Sequence, residues 1–313
     1  MKAMILSAQG GIENFSLADI PVPSLKHDEV LIKTKAISIN PADTIVRSNN
    51  NVSWVFGNDN PLVLGWDISG EIVDIGSSVQ NFKVGDEVFG LLNHPYIGRT
   101  YAEFVAASVE HLALKPKKIS HETAAVSTLA ALTALQPLNK VGIKPGDRVL
   151  VTAAGGGVGH FAVQFAKQAG AYVIALASAS KKDLLLQLGA DEFIDYKKEK
   201  FEEIIHDIDI VIDGVRDDQH LLRSLNIIRP GGTLISLWTN VTEALSEEFQ
   251  LKGINIFYNM VLPNGVDMQY VADLLDNDLL KPHISKIFPF EEIPNAHIEI
   301  EKGHTTGKLA VSF

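Results

Sequence analysis

A cluster of glycines near the middle of the 313-residue chain has the spacing of a phosphate-binding turn. The motif reads Ala154-x-Gly156-x-x-Gly159, a dinucleotide-binding fingerprint with alanine at its first glycine position. Residues without side chains let the backbone approach an anion, and the N–H groups of a following helix point at it with the helix dipole behind them. We therefore predict that a dinucleotide pyrophosphate is bound by the residues of this turn, which are Ala154, Gly156, Gly157, Val158 and Gly159.

The end of the next predicted strand decides which nucleotide such a turn accepts. An NAD site presents Asp or Glu there, about 20 residues after the glycines, to hold the ribose hydroxyls. This strand ends without an acid, in Ser178, Lys181 and Lys182. A carboxylate would repel a 2′-phosphate, whereas serine hydroxyls and a lysine would bind one. The sequence therefore favours NADPH over NADH, with the alternative that the two lysines are only the solvated start of a helix.

Strand and helix patterns alternate around this motif, which argues against an ordinary glycine-rich turn. A β-branched run at 149–152 precedes the glycines, and apolar residues recur at helical spacing from Val158 to Ala169. Further strands are predicted at 172–177, 192–196, 209–213, 233–237 and 255–261, with a helix at 181–188. This alternation predicts an α/β fold with a doubly wound parallel sheet, whose ligand lies beyond the carboxyl ends of the strands.

The two ends of the chain have a different pattern. Residues 1 to about 121 are β-rich, with strand-like runs at 30–36, 68–75 and 101–106 separated by Pro, Gly and Asn clusters. A helical run follows at 121–139, and another is predicted at 266–276. From 279 to 313 the pattern returns to proline-bounded β-like segments, and we expect this tail to rejoin the first domain.

Composition excludes several classes of protein. With 46% hydrophobic and 21% charged residues the chain is a typical globular protein, and its net charge of −11 argues against nucleic acid or an anionic membrane as partner. No apolar stretch is long enough to span a bilayer and no signal peptide is evident, so we expect a cytoplasmic protein. The absence of cysteine excludes disulfides and thiolate ligands, and no histidine pair has ligand spacing, so no metal site is predicted.

Several segments in order resemble the medium-chain dehydrogenase/reductase superfamily, in its zinc-independent quinone oxidoreductase branch. The matching segments are 39–43, 65–70, 82–88, 129–135, 153–159, 229–232 and 303–308. The resemblance implies a Rossmann dinucleotide-binding domain at 122–265, inserted into a discontinuous, β-rich, chaperonin-10-like catalytic domain at 1–121 and 266–313. It also implies an active site in the cleft between the two domains, and a homodimer along the edge of the nucleotide sheet is common in similar proteins.

The resemblance also assigns residues to the site. It implies that Tyr196 contacts the 2′-phosphate, that Thr133 approaches the nicotinamide, and that the nicotinamide lies near Gly214, Val215, Leu237, Trp238 and Leu262. Asn40 is a candidate donor to the substrate carbonyl or the nicotinamide ribose, because an amide stabilises a developing oxyanion without proton transfer. The alternatives are a turn residue for Asn40 and core packing for Thr133.

Three further side chains have structural alternatives. We expect Asp43 to bond the backbone or Arg47 rather than act as a general base. Trp54 and Trp66 are either walls for an aromatic acceptor or ordinary core residues.

Zinc-bearing relatives have a cysteine at the position of Asn40 and a histidine at the position of Trp66. Without that Lewis acid an alkoxide is hard to stabilise, whereas an electron-poor acceptor needs less help. The leading hypothesis is therefore an NADPH-dependent reductase of a small electrophilic acceptor, a quinone or an α,β-unsaturated carbonyl. The alternative is an NADPH-binding redox sensor or structural protein that keeps the fold without efficient catalysis.

Overall fold

The computed structural model describes all 313 residues, and the chain divides into two compact units. The first unit consists of Met1–Leu132 and Val261–Phe313, and the second, Thr133–Met260, is inserted between them. The domain boundaries expected from the sequence, at 121 and 265, stay a prediction.

Sixteen strands form three sheets. They are β1 (Lys2–Leu6), β2 (Phe15–Asp19), β3 (Glu29–Ile39), β4 (Leu62–Val63), β5 (Asp67–Ile75), β6 (Glu87–Leu91), β7 (Phe104–Ser108), β8 (Leu112–Leu114), β9 (Arg148–Val151), β10 (Tyr172–Ala177), β11 (Glu192–Asp195), β12 (Ile208–Asp213), β13 (Ile228–Ser236), β14 (Asn255–Tyr258), β15 (Ile284–Pro289) and β16 (Lys308–Ser312).

Ten α-helices lie between these strands. They are α1 (Pro41–Ser48), α2 (His121–Ala125), α3 (Leu129–Val141), α4 (Gly159–Gln168), α5 (Lys182–Gln187), α6 (Phe201–Ile204), α7 (Asp218–Leu225), α8 (Glu243–Leu251), α9 (Gly265–Asp276) and α10 (Ile293–Glu301). Short 3₁₀ segments occur at Ile12–Asn14, Asn50–Phe56, Val109–His111, Ala179–Lys181 and Phe290–Glu292. No helix combines the length and the apolar composition needed to cross a bilayer.

The second unit contains one six-stranded sheet in the order β11-β10-β9-β12-β13-β14, and every pair is parallel. This order reverses direction between β9 and β12, which is the crevice where doubly wound folds bind nucleotides. Its strands are rich in Val, Ile and Leu because a parallel sheet is covered on both faces. Leu150, Val211 and Leu234 are fully buried in its core with Phe201 and Phe249.

The first unit contains two sheets. Strands β2-β1-β4 form the smaller one, and the larger has the order β15-β16-β3-β5-β6-β8 with β7 also paired to β3. The C-terminal strand β16 pairs antiparallel with β3, so that Leu309 lies opposite Ile39. This pairing confirms that the tail rejoins the first domain, and it brings Lys308 to the residue that follows β3, which is Asn40. The sequence-based fold class is confirmed: a doubly wound sheet inserted into a discontinuous β-rich domain.

Two predictions of secondary structure were wrong. The tail is not wholly β-like, because Pro294 occupies the first turn of α10, where a missing N–H costs nothing, and so begins a helix instead of bounding a strand. The helical run at 121–139 is broken between α2 and α3. There Ser127 Oγ donates to the Thr123 carbonyl and Thr128 Oγ1 to the Ala125 carbonyl, local bonds that compete with helix geometry.

Candidate active site

The glycine turn joins β9 to α4 in the second unit. Ala153 begins it with a φ of 47°, a left-handed conformation that costs a non-glycine residue roughly 1–2 kcal/mol. The Ala154 N–H donates to the Leu176 carbonyl of β10 at 3.1 Å, and the Gly156 N–H donates to the Ala153 carbonyl at 2.9 Å. No side chain caps the N-terminus of α4, and the positive end of the helix dipole faces the turn. The N–H groups of His160 and Phe161 donate to the Gly156 and Val158 carbonyls at 3.2 and 3.1 Å, so an anion would be bound by N–H groups earlier in the turn.

The glycines of the turn differ in how strictly the backbone requires them. A Cβ on Gly159 would lie 2.5 Å from the Ala153 carbonyl oxygen and 2.6 Å from Ala154 Cα, distances that no side chain tolerates. At Gly156 the nearest atom would be the Ala153 oxygen at 3.2 Å, a tight contact. Gly159 is therefore required for the close packing of helix against strand, and Gly156 keeps the surface of the turn bare.

A histidine that sequence reasoning missed also fixes the turn. His160 is fully buried at the start of α4, and its Nδ1 donates to the Gly156 carbonyl at 3.0 Å. Because a carbonyl only accepts, this ring nitrogen carries the proton. The bond ties the Gly156 carbonyl to α4. No spacing rule in the sequence distinguishes this histidine from an ordinary core histidine.

The structure separates the two lysines after β10. A Cβ on Gly155 would lie 2.2 Å from Lys181 Cδ, so the aliphatic part of Lys181 lies directly against the glycine turn. Lys181 is half-buried, and burial lowers the pKa of its ammonium. Lys182 instead places its Nζ 6.0 Å from the centre of the Phe193 ring. Lys181 is therefore the better placed of the two to contact a ligand of the turn.

Ser178 and Tyr196 follow neighbouring strands of the same sheet. Ser178 comes directly after β10 and its Oγ lies 3.3 Å from Ser180 Oγ. Tyr196 comes directly after β11, the strand beside β10, and is 56% exposed. Both residues follow the carboxyl ends of their strands, and neither is buried in the core.

The loop after β12 is fixed by side chains that the sequence analysis did not select. The Gly214 N–H donates to Thr152 Oγ1 at 2.9 Å, and the Val215 N–H donates to Asp213 Oδ1 at 2.9 Å. The other oxygen of Asp213, which is fully buried, accepts from His220 Nδ1 at 2.6 Å. Gly214 and Val215 would thus contact a nucleotide through atoms other than these N–H groups.

The remaining predicted contacts have different surroundings. Leu237, after β13, is buried and its N–H donates to the Asp213 carbonyl at 3.0 Å. Trp238 is half-buried, and the Arg216 guanidinium carbon lies 6.0 Å from the centre of the Trp238 ring. Thr133 is buried on α3. Leu262 is 55% exposed and belongs to the first unit, so it is not grouped with the others.

In the first unit, Asn40 lies at the centre of a buried polar cluster. It is the N-cap of α1, and its backbone N–H donates to Asp43 Oδ2 at 2.7 Å. This bond confirms that Asp43 bonds the backbone, whereas Arg47 pairs with Glu301. The Asn40 side chain donates from Nδ2 to Asp67 Oδ2 at 2.8 Å and accepts from Lys308 Nζ at Oδ1. Asn40, which is 2% exposed, therefore caps α1 and links Asp67 to Lys308.

Asp67 joins this cluster to the start of α3. Its Oδ1 accepts from Thr128 Oγ1 at 2.6 Å and from the Leu129 N–H at 3.0 Å, while Lys308 Nζ lies 3.6 Å from Oδ2. Burial lowers the pKa of Lys308, and the charges of Asp67 and Asp43 partly oppose that. These partners of Asp67 are distant in the chain, and no sequence motif signals such pairings.

Tyr101 and His297 form a second buried group of titratable side chains, and the Tyr101 hydroxyl interacts with the Asp43 carboxyl. Burial raises the pKa of Asp43 to about 7. The Tyr101 hydroxyl lies 3.0 Å from His297 Nε2, and burial lowers the pKa of His297 to about 3. At neutral pH the imidazole is therefore uncharged and the Asp43 carboxyl is close to its midpoint.

The two tryptophans have different roles. Trp66 is 1% exposed and its Nε1 donates to the Tyr96 carbonyl at 2.8 Å, so it is a core residue. Trp54 is 52% exposed and meets the exposed Tyr96 ring edge-on, with 6.0 Å between ring centres. Of the two, only Trp54 presents an aromatic surface to solvent.

The residues at the position of the relatives' zinc do not fit that ion. Asn40 and Trp66 replace its cysteine and histidine ligands, and the Lys308 ammonium, which would repel a cation, contacts the Asn40 amide. No group of three or more His, Cys, Asp or Glu side chains in the structure is arranged to hold a metal. The turn with its uncapped helix, by contrast, fits a dinucleotide pyrophosphate.

Comparisons with known proteins agree with this architecture. The family model of the alcohol dehydrogenase GroES-like domain matches residues 26–117, and that of the zinc-binding dehydrogenases matches residues 188–311. The chain is 32% identical to a mitochondrial NAD(P)H oxidoreductase of Mus musculus, over 96% of this chain and 84% of the relative. It is 33% identical to a chloroplastic NADPH-dependent alkenal/one oxidoreductase of Arabidopsis thaliana, over 99% and 79% of the two chains.

Comparison with solved structures gives the same fold. The quinone oxidoreductase of Coxiella burnetii superposes with a TM-score of 0.93 at 36% identity, over 100% of this chain and 99% of the other. These comparisons agree with the inserted sheet and the β-rich outer domain that the residues themselves predict. The chain therefore belongs to the medium-chain dehydrogenase/reductase superfamily, in its quinone oxidoreductase-like branch.

Proposed function

We propose that this protein is an NADPH-dependent reductase of quinones or α,β-unsaturated carbonyls that works without zinc. The observation that carries the proposal is the bare turn at the end of β9, with Lys181 lying against Gly155 at an acid-free strand end. The relatives named above, which are described as a quinone oxidoreductase and an alkenal/one oxidoreductase, support the same class of acceptor.

The nucleotide is held chiefly by backbone. The turn from Ala154 to Gly159 binds the pyrophosphate, and Lys181 with Ser178 and Tyr196 binds the 2′-phosphate that distinguishes NADPH. When bound, the nicotinamide supplies the hydride. Thr133 and the residues that follow β12 and β13 shape the nicotinamide side of the site; these are Gly214, Val215, Leu237 and Trp238. Leu262, in the first unit, is a further candidate contact of the nicotinamide.

Asn40 supplies the polar contact to the acceptor. One N–H of its amide donates to Asp67, and the second N–H donates to the carbonyl oxygen on which negative charge develops. An amide stabilises that charge without moving a proton, so water supplies the proton that completes the reduction. A quinone or enone needs no stronger electrophile, whereas a simple alkoxide does.

The test is turnover of a defined acceptor panel. Purified protein is mixed with NADPH and a series of benzoquinones, naphthoquinones, alkenals and enones, and cofactor absorbance is followed. We expect turnover with at least one class, retained after dialysis against a zinc chelator. Activity that is lost on chelation and restored by zinc would contradict the metal-free proposal. Tight NADPH binding with no turnover of any acceptor would instead support the sensor or structural role.

Assembly and location complete the proposal. We place the protein in the cytoplasm as a homodimer that pairs along the edge of the nucleotide sheet, where β14 bonds only to β13. Sedimentation analysis tests the dimer, with a monomeric mass as the contrary result. Cell fractionation tests the location, and recovery in an organelle, as in the mitochondrial relative, would correct it.

A further inference from the structure

Two charged side chains around Asn40 have no role in the proposed chemistry so far. Asp67 is 0% exposed at the start of β5, and Lys308 is 3% exposed at the start of β16. Both contact the Asn40 amide, at opposite ends: Asp67 at Nδ2 and Lys308 at Oδ1. Lys308 Nζ also lies 3.3 Å from the Ile39 carbonyl, so the ammonium is held independently of the amide that it contacts.

The chemistry of the two charges selects one orientation of the amide. An ammonium has only donors and an ionised carboxylate has only acceptors. Rotating the amide by half a turn would set its NH₂ against the ammonium and its oxygen against the carboxylate, so that both bonds become repulsions. Neither charge alone anchors both ends of the amide. The pair therefore holds Oδ1 toward β16 and Nδ2 toward β5.

A buried ion pair is weak evidence for stability, because desolvation of both charges offsets their attraction and apolar replacements are often as stable. A role in fixing one arrangement is a better-supported reason to bury one. The same unit contains a second buried lysine, Lys115, which contacts no side-chain amide. Lys115 donates to the Pro116 and Ile119 carbonyls at 3.1 and 2.8 Å and lies 3.2 Å from Glu87. No side-chain amide lies between Lys115 and its partners.

We propose that Asp67 and Lys308 are positioning residues of the reduction, which act through Asn40 by holding its second N–H in the one orientation that can donate to the acceptor carbonyl. The expected change in kcat rests on the proposed function, whereas the orientation of the Asn40 amide rests only on its hydrogen bonds to Asp67 and Lys308. Lys308 also polarises the amide carbonyl, which makes the same N–H a stronger donor.

Kinetics of a matched set of variants test this. Lys308→Met should lower kcat for NADPH-dependent reduction roughly tenfold to a hundredfold, the range of one charge-assisted bond, while the KM for NADPH stays within about twofold. Lys308→Arg should recover most of the rate. Because Lys308→Met leaves Asp67 buried and unpaired, the neutral pair Lys308→Met with Asp67→Asn is made as well, and it should lose kcat to a similar extent.

A double-mutant cycle separates positioning from general stability. In an Asn40→Ala background, Lys308→Met should change kcat by less than about twofold, because the group through which it acts is gone. Lys115→Met, the control, removes an equally buried ammonium and should leave kcat within about twofold of the wild type. Independent, multiplying losses for Asn40→Ala and Lys308→Met would overturn the proposal, as would equal losses of kcat for Lys308→Met and Lys115→Met.

A spectroscopic readout keeps the inference testable even where no acceptor is reduced. The side-chain amide of Asn40 is assigned by the resonance pair that disappears in Asn40→Ala. We expect its two protons to be well separated and slow to exchange in the wild type, and to move toward solvent-exposed values in the neutral pair but not in Lys115→Met. An unchanged Asn40 signal in the neutral pair contradicts the inference, whereas absent turnover in the wild type contradicts only the proposed function.

Discussion

The glycine turn of the second unit and the Asn40 cluster of the first unit present polar groups to a ligand in opposite ways. The turn offers backbone N–H groups and keeps side chains away, and its closest packing is between Gly159 and the backbone of Ala153 and Ala154. The cluster offers a single amide held by two buried charges, Asp67 and Lys308. The turn therefore depends on residues without side chains, whereas the Asn40 cluster depends on side chains that bond to one another.

This difference affects how each region responds to change. The turn packs backbone against backbone at Gly159, so its geometry is sensitive to added volume. The cluster buries carboxylates and an ammonium, so its stability depends on protonation and on the survival of each partner. Substitutions that add a methyl group should therefore act mainly on the turn, and substitutions that remove a charge mainly on the cluster.

The largest effect is expected for Gly159→Ala. The new Cβ would meet backbone atoms at 2.5 and 2.6 Å, and backbone cannot move aside as a side chain does. Displacing the turn misaligns its N–H groups, so affinity for NADPH and NADH alike should fall by about a hundredfold, close to 2.7 kcal/mol. Isothermal titration calorimetry with both nucleotides measures this, and unchanged binding would show that the turn is not the nucleotide site.

The next effect is the pH dependence of stability set by Asp43. Its folded-state pKa is raised from 3.8 to about 7, so its contribution to stability is fully present below pH 3.8 and is lost as the pH rises through 7. At about 1.4 kcal/mol per pKa unit, the loss amounts to a few kcal/mol. His297 acts in the opposite sense, since its pKa is lowered from 6.5 to about 3 and its contribution is lost as the pH falls from 6.5 through 3.

Asp43→Asn isolates the carboxyl from the imidazole. Between about pH 5 and pH 8 the free energy of unfolding in urea should rise in the variant, because the His297 contribution is regained. In the wild type this rise should be offset by the loss of the Asp43 contribution. The amide oxygen that this substitution introduces can still accept from the Asn40 N–H, so the helix cap is kept. Parallel curves for the two proteins over that range would contradict the raised pKa.

A smaller and more selective effect is expected for Lys181→Ala. Loss of one charge-assisted phosphate contact costs on the order of 1.5–3 kcal/mol, so NADPH affinity should fall roughly tenfold to a hundredfold while NADH affinity hardly changes. Lys182→Ala is the matched control, because that ammonium lies over Phe193, and the double variant should be no weaker than Lys181→Ala. Equal losses for the two nucleotides would refute the 2′-phosphate assignment.

The smallest effect is expected for Gly155→Ala. Its Cβ would meet the Lys181 side chain at 2.2 Å and no backbone atom among its nearest contacts, so the lysine shifts and the turn stays. NADPH affinity should fall by no more than in Lys181→Ala, and NADH affinity should stay unchanged. A loss shared by both nucleotides would mean that Gly155, like Gly159, is required by the backbone.

The same contrast explains how much could be predicted from the sequence. The glycine turn is a contiguous segment whose spacing can be read from the sequence alone, and the strand 172–177 was predicted with the bounds that β10 has. The partners of Asn40 lie 27 and 268 residues away, so only the assembled sheet, with β16 beside β3, brings them together. The Asp213–His220 pair and the His160 bond were missed because both are side-chain contacts without a repeating pattern.

Transfer of deuterium to an enone from NADPH that carries deuterium at both C4 positions of the nicotinamide tests the central claim most directly, because it links the nucleotide site to the acceptor in one measurement. The account predicts that mass spectrometry finds one deuterium on the β-carbon of the reduced product, that metal chelation leaves the amount unchanged, and that Gly159→Ala strongly lowers the transfer when NADPH is limiting. A product that carries no deuterium, or transfer that persists undiminished in Gly159→Ala, would contradict it.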